Sequence, residues 1–145
     1  MSTEKKNKKP GYLWAISHHK CARCRTGDMF RARSSYNLKQ FMKMNDRCPA
    51  CAQYLEIEPG FYYGTAYISY AMTVALSVAT FVGWWLLVGF SLYGNSVIKW
   101  LVLNAIVLVA MQPYLMRLSR ALWLSFFVMY NANWRTEKPE DPERM

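Results

Sequence analysis

Charged side chains are missing from most of the second half of the sequence. None occurs in residues 61–98, a run of 38, and after Lys99 the 17 residues 100–116 are again uncharged. A core helix of a soluble protein rarely stays apolar for more than about 14 residues, whereas about 20 are needed to cross the hydrocarbon of a bilayer. The polar remainder of the chain is too small to cover two such helices. The missing charge therefore argues against a soluble helix bundle and predicts two membrane spans.

The N-terminal segment lacks the apolar stretch of a secretory signal peptide. Residues 1–10 contain four Lys, with no apolar stretch of signal-peptide length directly behind them, and a signal peptide needs an apolar region at that place. We expect this segment to be a disordered basic tail. The first span then serves as the membrane-targeting signal.

Catalytic constellations are also missing. The sequence has no Ser/His/acid set, no phosphate-binding loop and no acidic pair suited to a pocket, so we infer no enzyme activity and no small-molecule substrate. None of the polar residues within the spans is ionisable, so a proton or ion pathway lacks its usual sign. These residues are Ser69, Thr73, Ser77, Thr80, Asn104 and Gln112.

The apolar region is predicted to form a transmembrane hairpin over residues 60–118. The spans cover about residues 66–87 and 100–114, and the Gly94-Asn95 pair between them suits a tight turn with positive φ. Close helix packing is favoured by small residues about one turn apart. These are Gly64, Ala71, Ala75 and Ala79.

Pro113 is expected to kink or end the second helix, because proline cannot donate a helical hydrogen bond. The apolar run beyond it is too short to span a bilayer. We therefore predict a short interfacial helix at residues 119–134, lying on the membrane, and a charged tail at residues 135–145. The alternative is a straight continuation of the second span.

The basic residues are distributed unequally about the spans. Residues 1–60 contain 12 Lys or Arg, the turn region contains one, and residues 115–145 contain five. Basic residues that flank short spans stay on the cytoplasmic side. This predicts a multi-pass protein with both termini in the cytoplasm, and the net charge of +9 suits contact with anionic lipids.

The four cysteines form two pairs, Cys21-Ala-Arg-Cys24 and Cys48-Pro-Ala-Cys51, within the polar residues 11–59. Two intervening residues let both thiolates of a pair point inward from one turn, and two such turns complete a tetrahedron around zinc. Gly27 stands where such a knuckle needs a residue without a side chain. We predict a small zinc ribbon of knuckles and short β-strands. One structural ion would supply folding free energy that so small a core lacks.

Other readings of the cysteines stay open. Structural disulfides need an oxidising compartment, which the predicted orientation does not provide. A thioredoxin-like redox pair needs a strand–helix context for which 49 residues are too few. An iron–sulfur site or another metal also fits four thiolates. His18 and His19 precede the first pair and are alternative ligands, although four thiolates already fill the shell.

Basic side chains around the cysteines and after the second span are candidate contacts for a partner or for lipid. They are Arg23, Arg25, Arg31, Arg33, Lys39, Lys43, Arg117 and Arg120. The same side chains up to Lys43, together with Arg47, would meet phosphates if the domain bound nucleic acid. The bias of basic residues toward the cytoplasmic side explains them without nucleic acid.

Three segments carry a resemblance to known sequences: Cys21-Ala-Arg-Cys-Arg-Thr-Gly-Asp-Met-Phe30, Asn45-Asp-Arg-Cys-Pro-Ala-Cys51, and Glu58-Pro-Gly-Phe-Tyr-Tyr-Gly64 leading into Tyr67-Ile-Ser-Tyr70. Through them the sequence resembles a bacterial family called domain of unknown function 983, over most of residues 20 to about 129. Ala22 and Ala52 replace the Pro and Gly that are common at these positions in the family, and neither change removes a cysteine.

The resemblance implies a zinc ribbon joined to a membrane hairpin in the bacterial inner membrane, but it brings no established activity. Some relatives are encoded beside cytochrome oxidase assembly factors, which points to respiratory-complex biogenesis. We therefore expect a non-enzymatic accessory or assembly factor that docks another membrane protein or complex. The alternatives are a membrane-tethered nucleic-acid- or ribosome-binding module and a protein that handles metals or thiols.

Overall fold

A computed structural model describes residues 10–139 of the chain. It contains a short helix α1 (Tyr12–Ser17) and two long helices, α2 (Thr65–Val88) and α3 (Ser96–Phe127). A 3₁₀ turn (Phe61–Gly64) leads directly into α2. The predicted basic tail lies outside the described residues except for Pro10, and so does the last part of the predicted charged tail, residues 140–145.

Helices α2 and α3 form a hairpin, as the hydropathy pattern predicts. Both are long and apolar enough to cross a membrane. The connection covers residues 89–95, and its positive φ of 80° is at Gly89. The positive φ expected at Gly94-Asn95 is therefore found at another residue, and Asn95 has a φ of −71°. Trp84 Nε1 donates to Ser96 Oγ at 3.1 Å, which ties the two helix ends together.

Hydroxyl and amide groups form hydrogen bonds between the two helices, and the rings of Phe81 and Trp100 also meet there. Thr80 Oγ1 lies 2.9 Å from Asn104 Oδ1, and Asn104 Nδ2 donates to Ser77 Oγ at 3.3 Å. Ser69 Oγ donates to Ser119 Oγ at 2.8 Å near the other end of α2. The small residues expected to line this contact are Ala71, Ala75 and Ala79, and all three are exposed.

Gly64 does serve close packing, against Trp123 of α3. A Cβ atom at Gly64 would lie 2.2 Å from the indole ring of Trp123. The same indole donates from Nε1 to the carbonyl oxygen of Phe61 at 2.8 Å. The 3₁₀ turn is thereby fixed to α3 immediately before α2 begins.

Helix α3 continues through Pro113 without a break, which corrects the predicted helix end near Tyr114. No separate helix begins at residue 119, because residues 119–127 are the last turns of α3. The straight continuation is therefore the one observed.

The cysteine domain (residues 11–59) is made mostly of turns. Within the described residues it forms isolated β-bridges and no strand, so the predicted short strands are not observed. The bridges pair Lys20 with Asp28, Phe30 with Met44, and Arg47 with Tyr54. Helix α1 was not predicted from the sequence. It packs on the end of α3, where Tyr12 Oη lies 2.9 Å from Ser125 Oγ.

Candidate metal centre

The two cysteine pairs adopt the same backbone conformation. Cys21 C=O accepts the N–H of Arg25 at 2.8 Å, and Cys48 C=O accepts the N–H of Ala52 at 2.9 Å. Arg25 and Ala52 each follow the second cysteine of a pair, with φ of 55° and 58°. A residue in this left-handed region reverses the chain, so both thiolates of a pair face the same side.

The structure brings the four cysteines into one cluster. Their Sγ atoms all lie within 4.8 Å of one another, and all four residues are buried. The Cys21–Cys51 and Cys24–Cys48 pairs, which join the two knuckles, are separated by 3.8 and 3.7 Å. Four sulfurs at about 2.3 Å from a tetrahedral ion would be about 3.8 Å apart. The arrangement therefore fits one bound metal ion.

Electrostatics also favour a cation at this place. Contact with Cys24 and with the second cysteine pair, together with burial, raises the pKa of the Cys21 thiol well above its usual range. Several ionised thiolates this close together repel one another strongly in a buried site unless a cation accompanies them. The N–H of Gly27 donates to Cys24 Sγ at 3.4 Å, which adds one favourable dipole.

Gly27 is required because there is no room for a side chain at this residue, as its position after the first pair suggested. A Cβ atom at this residue would lie 2.2 Å from Cys48 Sγ and 3.1 Å from Ala50 Cβ. The first knuckle thus contacts a sulfur of the second directly. A larger residue here would push the two knuckles apart.

The end of α3 supplies part of the core around the cysteines. Ala121 and Leu124 are buried in the same cluster as all four cysteines, and Leu118 packs against it. The side chain of Leu124 is completely inaccessible to solvent. The sequence predicts the cysteine domain and the helices as separate units and gives no sign of this shared core.

Residues 130–138 form a second support that the sequence did not reveal. Arg23 Nη2 donates to the carbonyl oxygens of Glu137 and Lys138 at 2.9 and 3.0 Å. The N–H of Asn131 donates to Arg23 C=O at 3.1 Å. Trp134 packs against the cysteine cluster. The first knuckle is therefore held from outside by the segment that follows α3.

The two histidines lie apart from the cysteine cluster. His18 Nδ1 is 2.9 Å from the carbonyl oxygen of Trp14, and the two rings are stacked. His19 lies between the rings of Phe30 and Tyr114. Burial, with Arg117 and His18 nearby, lowers the pKa of His19 to about 4. The structure gives neither histidine a place among the four thiolates.

The candidate contact residues divide into two groups. Arg23 and Arg117 are buried, while Arg25 lies over the ring of Tyr130 and Arg120 over the ring of Tyr62. The remaining four have exposed side chains. They are Arg31, Arg33, Lys39 and Lys43.

Comparisons with known proteins give one match. Residues 38–128, more than half of the chain, match the family model described as "Protein of unknown function (DUF983)". The match includes the second cysteine pair and both long helices but begins after the first pair, so the expected start near Lys20 is not reproduced. No curated protein and no solved structure gives a significant match.

Proposed function

We propose, starting from the fact that the chain belongs to the DUF983 family, that it is a non-enzymatic accessory or assembly factor of the bacterial inner membrane. A structural zinc ion holds the cysteine domain in shape, and the helix hairpin fixes this domain at the cytoplasmic surface. The domain docks another membrane protein or complex. The gene neighbourhood of some relatives makes respiratory-complex biogenesis the first pathway to test.

The observation that carries this proposal is the shared core of the cysteine domain and α3. Ala121 and Leu124 belong to a helix that is apolar enough to cross a membrane, yet they pack with the four cysteines. A flexible tether would allow the domain to search for distant ligands. A domain built onto the membrane helix itself is held at one height and orientation, which suits docking to a neighbouring membrane protein.

Membrane insertion is supported by the outer surface of the hairpin. Large apolar side chains on both helices face away from the described protein, for example Leu87, which is 87% exposed, and Val109, which is 76% exposed. Contiguous apolar surface of this kind is unfavourable in water and favourable in lipid. The excess of basic residues in the termini supports their cytoplasmic location.

A single tetrahedral ion such as zinc is supported by the sulfur separations. Contacts of 3.7 and 3.8 Å between thiolates match one ion with metal–sulfur bonds of about 2.3 Å, the length of a zinc–thiolate bond. In an iron–sulfur cluster the four thiolates are divided among two or more iron atoms, and thiolates on different irons are held farther apart. A closed shell of four thiolates leaves no position for water or substrate, which favours a structural role.

Burial of the thiolates argues against metal delivery and thiol chemistry. Cys21 is 0% exposed and Cys51, the most accessible of the four, is 7% exposed. Reactive cysteines are usually partly exposed in electropositive surroundings. Here the first knuckle is covered by α3 on one side and by residues 130–138 on the other.

Part of the basic surface that nucleic-acid binding would need is engaged in contacts within the protein. Arg23 is bonded to backbone carbonyls, Arg25 lies over Tyr130, and Arg47 lies over the ring of Tyr54. Arg31 also lies 3.9 Å from the carboxylate of Asp46, so three of the seven basic side chains that would meet phosphates, Arg33, Lys39 and Lys43, are exposed and make no such contact among the described residues. A steep salt dependence of RNA binding by the full chain would restore this alternative.

Co-purification tests the docking proposal. The tagged full-length protein is isolated from its own membranes in mild detergent, beside a Cys48→Ser variant that removes one thiolate. We expect one membrane complex in stoichiometric amount with the wild type, and its loss with the variant. Recovery of ribosomes or RNA, or of the wild-type protein alone, would contradict the proposal.

A further inference from the structure

A cavity of about 810 Å³ lies between the end of α1, the loop at residues 28–35 and one side of α3. We call it the anion pocket. It reaches from the exposed side chains of Arg31 and Arg33 to the buried side chain of Arg117. It is separate from the metal centre, because no cysteine lines it.

Arg117 lies at the inner end of the anion pocket with one donor unused. Only 1% of the residue is exposed. Its Nε donates to the carbonyl oxygen of Phe41 at 2.6 Å, and Nη1 donates to that of Ala32 at 2.9 Å. The third nitrogen, Nη2, is buried without a hydrogen-bond partner among the described residues. The guanidinium also lies over the ring of Phe30, 4.6 Å from its centroid. A buried charged donor without an acceptor is costly, so Nη2 is a candidate contact for a ligand.

His19 presents a second unused polar atom in the same pocket. Its Nδ1 is buried without a partner among the residues that the structure describes. Its Nε2 is 3.5 Å from Ser35 Oγ, and both residues line the pocket. The ring is held between Phe30 and Tyr114, so it cannot easily turn toward another acceptor.

The charge of the lining selects an anion. Four cationic side chains line the pocket against a single carboxylate, Asp28. Asp28 is neutralised by its ion pair with Lys20, and Arg31 lies 3.9 Å from Asp46, which does not line the pocket. Arg33 and Arg117 have no ion pair among the described residues, so the lining keeps a net positive charge. Arginine matches the geometry of phosphate better than lysine does, since its planar fork donates two parallel hydrogen bonds.

The depth of the pocket suits a lipid headgroup, provided that the hairpin spans a membrane as proposed above. The uncharged run of α3 ends at Met116, at the predicted cytoplasmic end of the span, where hydrocarbon gives way to headgroups. Arg117 is the next residue. Tyr114 Oη donates to the carbonyl oxygen of Ser17 at 3.2 Å, which places the pocket end of α1 nearest to the span. Trp14, another lining residue, is 47% exposed.

We propose that the anion pocket binds a phosphate group, with Arg117 and His19 as its buried contacts and Arg31 and Arg33 at its entrance. The source of this group is either an anionic phospholipid headgroup or a soluble phosphate. The unpartnered atoms, Arg117 Nη2 and His19 Nδ1, do not depend on membrane insertion or on docking, so this inference can fail independently of the proposed function.

The test uses two double variants of the full-length, zinc-loaded protein in detergent. Arg31→Gln with Arg33→Gln removes two charges at the pocket, and Lys39→Gln with Lys43→Gln removes two exposed charges that do not line it. Arg117 itself is left unchanged because its substitution also removes two bonds to the loop. Calorimetry measures binding of inorganic phosphate. Native mass spectrometry measures phosphatidylglycerol retained after release from nanodiscs.

We expect saturable binding at one ligand per chain in at least one of the two measurements. The pocket variant should bind about tenfold more weakly, as expected for the loss of charge-assisted hydrogen bonds, while the control variant binds like the wild type. Which measurement shows this pattern identifies the source of the phosphate. Absence of saturable binding in both, or equal weakening by the two variants, would overturn the proposal.

Discussion

Gly27 in the first knuckle lies directly against Cys48 in the second. A Cβ atom at Gly27 would stand 2.2 Å from the Cys48 sulfur, so the spacing between the knuckles depends on a missing side chain. Cys48 Sγ in turn lies 3.7 Å from Cys24 Sγ. The metal centre is therefore sensitive to changes that leave all four cysteines in place.

We predict that Gly27→Ala weakens the metal centre although it changes no cysteine. The new methyl group must move Cys48 or the knuckle that holds it, and overpacking of this kind costs about 1–3 kcal/mol. Zinc content per chain and the temperature of unfolding should both fall. Gly11→Ala is the matched control, because a Cβ there has nothing within 4 Å. Full zinc occupancy and unchanged unfolding of the Gly27 variant would show that the close contact is unimportant.

Ala52→Gly should stabilise the cysteine domain. Ala52 has a φ of 58°, a conformation that costs a residue with a Cβ about 1 kcal/mol and glycine much less. We expect a higher unfolding temperature for the zinc-bound protein. Ala50→Gly in the same knuckle should lower it, since Ala50 does not have a positive φ and glycine only adds entropy to the unfolded chain. Equal effects of the two substitutions would contradict this explanation.

Asn104→Leu should weaken the hairpin. The substitution removes the contacts of Asn104 with Thr80 and Ser77, and interhelical hydrogen bonds in membranes contribute about 0.6–2 kcal/mol. Unfolding in detergent should occur at a lower denaturant concentration. Gln112→Leu removes a polar side chain that is exposed on the same helix, so it should leave the unfolding midpoint unchanged. The reverse order of effects would show that Gln112 is the interhelical contact.

Cys48→Ser should unfold the cysteine domain and leave the hairpin inserted. Small metal-dependent domains fold only with their ion, whereas the apolar length of α2 and α3 does not depend on metal. Limited proteolysis should cut the variant between residues 11 and 59, and the remaining fragment should stay in the membrane fraction. Ala50→Ser introduces the same side chain two residues away as a control. Loss of the full-length variant from the membrane fraction, with the cysteine domain still resistant to protease, would contradict this prediction.

Sequence patterns predicted the parts of the fold that depend on residues close together in the chain. Each Cys-x-x-Cys pair predicted a knuckle, because a pair turns within four residues. A single cluster was predicted because one tetrahedral ion needs the thiolates of both pairs. Two long uncharged runs predicted the hairpin, because length and hydropathy decide whether a helix can span. The family was recognised from motifs, including Cys48-Pro-Ala-Cys51, that lie partly within the matched residues.

The errors concern contacts between distant segments. Pro113 suggested a helix end by its lost hydrogen bond, but α3 continues to Phe127, and its last turns pack in the core of the cysteine domain. Arg23 and Arg117 were predicted to contact a partner or lipid, yet each side chain is buried by segments far away in the sequence. Ala71 is exposed because of how α2 is rotated about its axis relative to α3. The spacing of small residues does not by itself predict this rotation.

The central claim, one zinc ion held by four thiolates, is tested most directly by X-ray absorption on the full-length protein purified from membranes. We predict a zinc edge with one ion per chain and four sulfur neighbours at about 2.3 Å. Iron with acid-labile sulfide, or nitrogen and oxygen neighbours in place of some sulfurs, would contradict the claim.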